Sequence, residues 1–251
     1  MGMVAVMIKN NLKSLVDGKK VIVVGPSPHL MGKNLGKYID SHDIVCRVNN
    51  LPSIDLKSDY GSKTDILFHN CASTFLDYFK IQMLEDDRYK KIKLVYCPVL
   101  KSVGSDNIVN IIRLGLSPVA NNFPKINVYN LPFEAIDTNT YAKYYMAMQA
   151  EPNCGMMAII LLLSSLVDSL FITGFSFYAQ GIEAKNSYIP GHRYIIDGYD
   201  SSITGEASHP QQPQINFFKN FVLKRYSDKI IIDGYLNKIL NISHHSVLEL
   251  G

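Results

Sequence analysis

The sequence predicts a single α/β domain with a mainly parallel sheet of about seven strands flanked by helices. Three observations carry that expectation. Short β-branched runs recur along the chain; segments of helical period lie between most of them; and the first run, Val21–Val24, is apolar without alternation and ends abruptly at Gly25. An unbroken apolar run bounded by lysines and a glycine describes a strand buried on both faces, as in a parallel sheet covered by helices. Strand–helix alternation over 251 residues fits one such domain.

The strand-like runs are Val21–Val24, Ile44–Val48, Ile66–Phe68, Ile92–Tyr96, Ile126–Tyr129, Ser169–Ile172 and Ile230–Ile232. The helical segments between them include Asn34–Ile39, Thr74–Leu84, Asp106–Leu114, Phe133–Gln149, Gly155–Leu166 and Pro210–Tyr226. Gly155–Leu166 (GMMAIILLLSSL) is apolar all round and too short to span a bilayer, which describes a helix buried at the centre of the domain. Residues 1–18 carry Val4, Met7, Ile8, Leu12 and Leu15 at helical spacing, an amphipathic helix expected to pack on the domain in preference to a peripheral membrane contact. Lys9 and Asn10 interrupt its apolar run and no basic region precedes it, so it has the pattern of neither a secretory signal nor a transmembrane span.

Composition narrows the function classes. The chain is 47% hydrophobic and 19% charged with a net charge of +3, too small an excess to point to nucleic acid. Cys46, Cys71, Cys97 and Cys154 form no CxxC pair and no zinc spacing, and their number and placement suit a reducing, cytoplasmic compartment. No GxGxxG follows the first strand, no GxxxxGK[ST] or GxSxG occurs, and there is no HExxH or Asp-x-Asp. The acidic triplet Glu85-Asp86-Asp87 stands beside Arg88, Lys90 and Lys91 and is expected to be a solvated, salt-bridged face.

Three places remain for chemistry. The turn Gly25-Pro26-Ser27-Pro28 lies at the carboxyl end of the first strand, where open α/β sheets bind ligands. Asn153, Cys154 and Gly155 open the buried helix, whose first-turn N–H groups and positive dipole end favour an anion. A plain capped core helix has the same local features. Residues 177–209 form a long polar stretch without periodicity, the pattern of a lid-like loop. It holds His192 and His209, and His209 directly precedes Pro210, a residue favoured at the first helical position. A helix dipole there disfavours imidazolium and holds a ring neutral, as a general base requires.

Taken together these segments resemble glycosyltransferase family 29, the eukaryotic-type sialyltransferases. The family's large motif stands here as VVGPSPHL, GKYIDSHDIVCRVNN and DYGSKTD; its small motif as PNCGMMAIILLLSSLVDSLFITGF; its third motif as His192-Arg193-Tyr194; and its very small motif as His209 with Gln214. All four are in order, across roughly residues 20 to 221. SFYAQG after Gly174-Phe175 also resembles bacterial family 42 sialyltransferases, a related alternative.

The resemblance implies a Rossmann-like fold of GT-A type in one glycosyltransferase domain over residues 1–251. The nucleotide-binding large motif would span 19–65, the small motif 152–177 and the catalytic motifs 192–214. It implies inverting, metal-independent transfer of sialic acid from CMP-sialic acid to a glycan hydroxyl, with no further cofactor. By the same resemblance Gly25, Ser27 and Asn49 bind the nucleotide, Asn153, Cys154 and Gly155 the phosphate or ribose. His209 would deprotonate the acceptor, His192 would hydrogen-bond the departing phosphate, and Tyr194 and Gln214 would support them.

The sequence departs from the pattern at Pro26, where the family has Asn; at Asn153-Cys154 in place of the Ser/Thr pair; and at Gln214 in place of Glu. The family's disulfide would fall near Val21 and residues 164–166, and neither cysteine is present. Transfer of another CMP-activated ulosonic acid such as Kdo, and CMP binding without turnover, are the competing readings.

Overall fold

The structure is a computed structural model that describes residues 11–73, 76–100, 108–115, 117–177, 189, 211–242 and 246–249. Eight strands form one sheet: β1 (Lys20–Val24), β2 (Ile44–Val48), β3 (Ile66–Phe68), β4 (Leu94–Cys97), β5 (Phe133–Ala135), β6 (Ser169–Thr173), β7 (Ile230–Asp233) and β8 (Val247–Leu248). Their order is β5-β4-β3-β2-β1-β6-β7-β8, and every pairing is parallel. The chain winds outward from β1 to β5, then crosses back to place β6 on the other side of β1. The direction of winding therefore reverses between β1 and β6, and the crevice at their carboxyl ends is where a sheet of this kind takes a ligand.

β1 is buried on both faces, as its uninterrupted apolar run requires. Val21 and Val23 join the larger core, and Ile22 and Val24 join a second core on the opposite face with Leu30, Ile39, Tyr60 and Phe171. The larger core is built around α8 (Cys154–Ser164), which follows helices α1 (Leu12–Val16), α2 (Gly36–Asp40), α3 (Lys57–Tyr60), α4 (Leu76–Glu85), α5 (Ile108–Leu114), α6 (Phe123–Ile126) and α7 (Thr138–Met148) and is buried at every position from Cys154 to Leu163. That all-round apolar helix is the central one that its composition requires. Cys46, Cys71, Cys97 and Cys154 are free thiols inside the core, and burial pushes the Cys46 thiol up, so it stays a protonated apolar side chain.

Several element boundaries differ from expectation. The segment Ile126–Tyr129 is not a strand: a short helix, Phe123–Ile126, begins with Pro124 in its first turn. Asn127 then closes a turn by donating through Nδ2 to Leu131 O and accepting from Leu131 N–H, both at 2.9 Å. The strand comes later, as β5, and replaces the first turn of the expected helix Phe133–Gln149. Asp137 caps a separate helix, Thr138–Met148, by accepting from Thr140 N–H at 2.8 Å. The eighth strand, two residues long, is too short for any periodic signal. Of the amphipathic helix expected over 1–18, the described part is Leu12–Val16, packed through Leu12 and Val16. Among the described residues no helix is long and apolar enough to cross a membrane. Lys90 pairs with Asp87 at 2.5 Å on the exposed face that the local charges predict, whereas Arg88 is turned inward, pairing with Asp86 at 2.6 Å and donating to Pro52 O at 2.7 Å.

Candidate active site at the sheet switch point

The turn after β1 is fixed by backbone contact with the end of β6. Gly25 N–H donates to Thr173 O at 2.8 Å and Ser27 N–H donates to Gly174 O at 2.9 Å. The two chains approach so closely that a Cβ on Gly25 would collide with the Gly174 carbonyl, and one on Gly174 with the Gly25 carbonyl. Gly174 also has φ +75°, in the left-handed region where a side chain is strained. On the other side, the buried Tyr60 hydroxyl donates to Ser27 O at 2.6 Å. Burial pushes the Tyr60 phenol well up, and neighbouring Asp59 adds to this, so the hydroxyl remains a donor.

The small-motif segment meets this turn through Phe175. Its ring lies between the two glycines: a Cβ on Gly155 would stand 2.7 Å from Phe175 Cε1, and one on Gly25 3.1 Å from Phe175 Cδ2. The missing Cβ of Gly155 thus accommodates a phenyl ring in this structure. Asn153 is the N-cap of α8, its Oδ1 accepting from Met156 N–H at 2.8 Å. The first-turn N–H groups of Cys154 and Gly155 have no acceptor within the helix. Asn153 N–H donates in turn to Oε1 of Gln214, a fully buried side chain on α9 (Gln211–Phe217). Gln214 therefore ties α9 to the start of α8. Gln214→Leu would leave the Asn153 N–H without its acceptor, and thermal denaturation should show a loss of about 1–3 kcal/mol.

Asn49 joins the same rim from the carboxyl end of β2. Its backbone is left-handed at φ +65°, a conformation Asn tolerates. Its N–H donates to Phe68 O at 2.7 Å, and its Oδ1 accepts from Asn70 N–H at 3.3 Å. Among the described residues no acceptor meets its Nδ2. Phe68 O also accepts from Cys154 Sγ at 3.5 Å. One carbonyl at the end of β3 thus links Asn49 of the large motif to Cys154 of the small motif. Gly25, Ser27, Asn49, Asn153, Cys154, Gly155 and Gln214 all converge on one edge of the sheet. His192, Tyr194 and His209 lie outside the described residues.

Arg47, Asp40, Asp59 and Asp65 of the large motif brace the fold. Arg47 is only 2% exposed, and its guanidinium donates to Tyr60 O (2.6 Å), Lys63 O (3.1 and 3.2 Å) and Thr64 Oγ1 (2.9 Å). Burial lowers it to about 10, which leaves it charged at neutral pH. The Asp40 carboxylate accepts from the N–H groups of Ser62 and Lys63, and Asp59 from Asn34 N–H. Asp65 accepts from Val45 N–H and pairs with Lys63 and Lys93. GKYIDSHDIVCRVNN and DYGSKTD therefore form a lattice that holds Tyr60 against the Ser27 turn.

Two residues that sequence reasoning missed complete the turn. His29 Nδ1 lies 3.0 Å from Ser27 Oγ and Nε2 3.0 Å from Asp233 Oδ2. The ring stacks on Tyr235 at 4.0 Å between centroids. Asp233 ends β7 and is fully buried. An aspartate directly after a buried Ile-Ile-Ile strand was a usable signal, because it must stand at the ligand edge of a parallel sheet. Its pairing with His29, 204 residues away, is a tertiary fact with no local signature.

Comparison with known proteins agrees with this architecture. The family profile of glycosyltransferase family 29 (sialyltransferase) matches residues 9–176. A Mus musculus CMP-N-acetylneuraminate-beta-galactosamide-alpha-2,3-sialyltransferase 1 is 42% identical over 52 residues, 21% of this chain and 15% of its own length. The Mus musculus alpha-2,3-sialyltransferase 2 of the same name is 22% identical over 169 residues, 65% of this chain and 45% of its own. The chain thus spans less than half the length of these curated relatives. Among solved structures, the sialyltransferase CstII from Campylobacter jejuni in complex with cytidine-5'-monophosphate superposes with a TM-score of 0.51 at 17% identity, over 86% of this chain and 80% of that one, a likeness of fold. With the profile covering both the Gly25 turn and the start of α8, the chain belongs to glycosyltransferase family 29, the sialyltransferase family.

Proposed function

We propose that the protein is an inverting, metal-independent glycosyltransferase that moves sialic acid from CMP-sialic acid to a glycan hydroxyl on a GT-A-type fold. The observation that carries this reading is the convergence of the Gly25–Ser27 turn, Asn49 and the N-terminus of α8 at one switch point. A nucleotide there would meet the Asn49 Nδ2 donor and the Ser27 turn, with its phosphate towards the first turn of α8. The names of the relatives specify a CMP-N-acetylneuraminate donor and a β-galactosamide acceptor, and we carry both to this chain as its substrate classes.

In the proposed reaction the acceptor hydroxyl loses its proton to His209 as its oxygen bonds to the anomeric carbon. The bond from that carbon to the phosphate oxygen breaks, and CMP departs with the electron pair. His192 and the helix-terminal N–H groups stabilise the negative charge on the leaving phosphate. A monophosphate leaving group needs less charge compensation than a diphosphate, and the sequence has no Asp-x-Asp for a metal-bound diphosphate sugar. Two tethers support the roles of the histidines. Ile189 N–H donates to Pro26 O at 2.9 Å, three residues before His192; Gln214 holds Asn153, five residues after His209. Residues 177–209 would act as the loop that completes the site.

Incubation with CMP-sialic acid and a β-galactoside acceptor tests the proposal. The wild type should release CMP and form sialylated product, and His209→Ala should lower kcat by about 10²–10⁴-fold, the usual contribution of a general base. Release of CMP from CMP-Kdo alone would reassign the donor. CMP binding without turnover of either donor would remove the enzymatic reading.

A further inference from the structure

The Ser27–His29–Asp233 chain is a buried polar array. It joins the nucleotide turn to the far half of the sheet. Ser27 is 3% exposed, the His29 side chain 7% and Asp233 0%. Tyr235 stacks on the imidazole, and among the described residues no Lys or Arg pairs with Asp233. Polar groups buried this deeply cost stability unless every member is satisfied, and an apolar set could fill the same space at lower cost.

The direction of each hydrogen bond follows from Asp233. Its Oδ2 accepts from Thr173 Oγ1–H at 2.7 Å and from Gly174 N–H at 3.3 Å, and its Oδ1 accepts from Leu236 N–H at 2.6 Å. Three donors converging on one carboxyl leave it an acceptor only. His29 Nε2 must therefore carry a proton and donate it to Oδ2. In the neutral ring this makes Nδ1 an acceptor, and its partner at 3.0 Å is Ser27 Oγ. The Ser27 hydroxyl proton then points inward, at His29. What remains on Ser27 Oγ is lone-pair capacity alone.

We infer that His29, oriented by Asp233, is a positioning residue that makes Ser27 a hydrogen-bond acceptor, directed at a proton-bearing group of the nucleoside and not at the phosphate. The inference rests on the nucleotide-site reading above. It divides the labour of the site: the phosphate belongs to the helix terminus, where N–H donors converge, and the nucleoside to the Ser27 turn.

The test is a titration of CMP and of phosphate-free cytidine against wild type, Ser27→Ala, His29→Phe and the double variant. Phenylalanine keeps the stack on Tyr235 and removes both ring nitrogens. Each single substitution should weaken CMP and cytidine by the same factor, about tenfold for one hydrogen bond in a closed site. The double variant should be no weaker than either single one, because His29 acts only through Ser27. Ring ¹⁵N resonances of the wild type give a reading that needs no variant: Nε2 should be protonated and Nδ1 an unprotonated acceptor. A penalty for CMP that vanishes with cytidine, additive losses in the double variant, or a proton on Nδ1 would each overturn the inference. Failure of the wild type to bind either ligand would instead overturn the nucleotide-site reading.

Discussion

Gly25→Ala is expected to destabilise the protein by about 3 kcal/mol and to abolish CMP binding. The added methyl has nowhere to go. It would collide with the Gly174 carbonyl, with Gly174 C at 2.9 Å and the Phe175 ring at 3.1 Å. The first two neighbours are backbone, held by the hydrogen bonds from Gly25 N–H to Thr173 O and from Ser27 N–H to Gly174 O. Relief requires β1 and β6 to part at their carboxyl ends, which is the position of the proposed nucleotide. Gly18→Ala is the control. Its φ is +64° and a Cβ there would meet nothing within 4 Å. It should therefore cost only the left-handed strain, about 1 kcal/mol, and leave CMP affinity unchanged. Urea titrations of the two variants, with CMP binding measured on each, compare a packing effect with a purely conformational one.

Arg47→Ala should be comparably severe, for a different reason. Among the described residues the guanidinium pairs with no carboxylate; it holds the carbonyls of Tyr60 and Lys63 and the Thr64 hydroxyl from inside the fold. Removing it leaves buried carbonyls without donors and a cavity beside the end of the helix Lys57–Tyr60. The expected loss is about 3–5 kcal/mol, a fall in Tm of roughly 10 °C. Nucleotide affinity should fall with it, because Tyr60 would no longer be held to donate to Ser27 O. Arg47→Lys keeps the charge but cannot reach three acceptors with a planar fork, and should recover only part of the loss.

The contrast between these two positions shows what was legible in the sequence. The buried β1 strand, the Gly25 break and the all-apolar α8 are local patterns, and each marks its place in the fold through composition alone. Parallel topology brings the Gly25 turn and the start of α8 to one edge, but it was the family resemblance that added Asn49 and gave Ser27 and Asn153 their nucleotide roles. The function of Arg47 and of Asp40, Asp59 and Asp65 was not legible in the same way. Charged residues inside a motif invite a ligand role, yet here they satisfy backbone groups that the 57–65 segment buries. The strand β5 was displaced by the chemistry of Pro124 and Asn127, which turns an apolar β-like run into a helix end and a turn. Asp233 and His29 were missed because a contact across 204 residues leaves no trace in spacing.

The central claim is that the Gly25–Ser27 turn, Asn49 and the first turn of α8 form one CMP site. Titration of the ¹⁵N-labelled protein with CMP tests it most directly. The amide resonances of Gly25, Ser27, Asn49, Cys154 and Gly155 should shift together along one saturable curve. Saturable shifts confined to residues away from this edge of the sheet, or none at all, would contradict it.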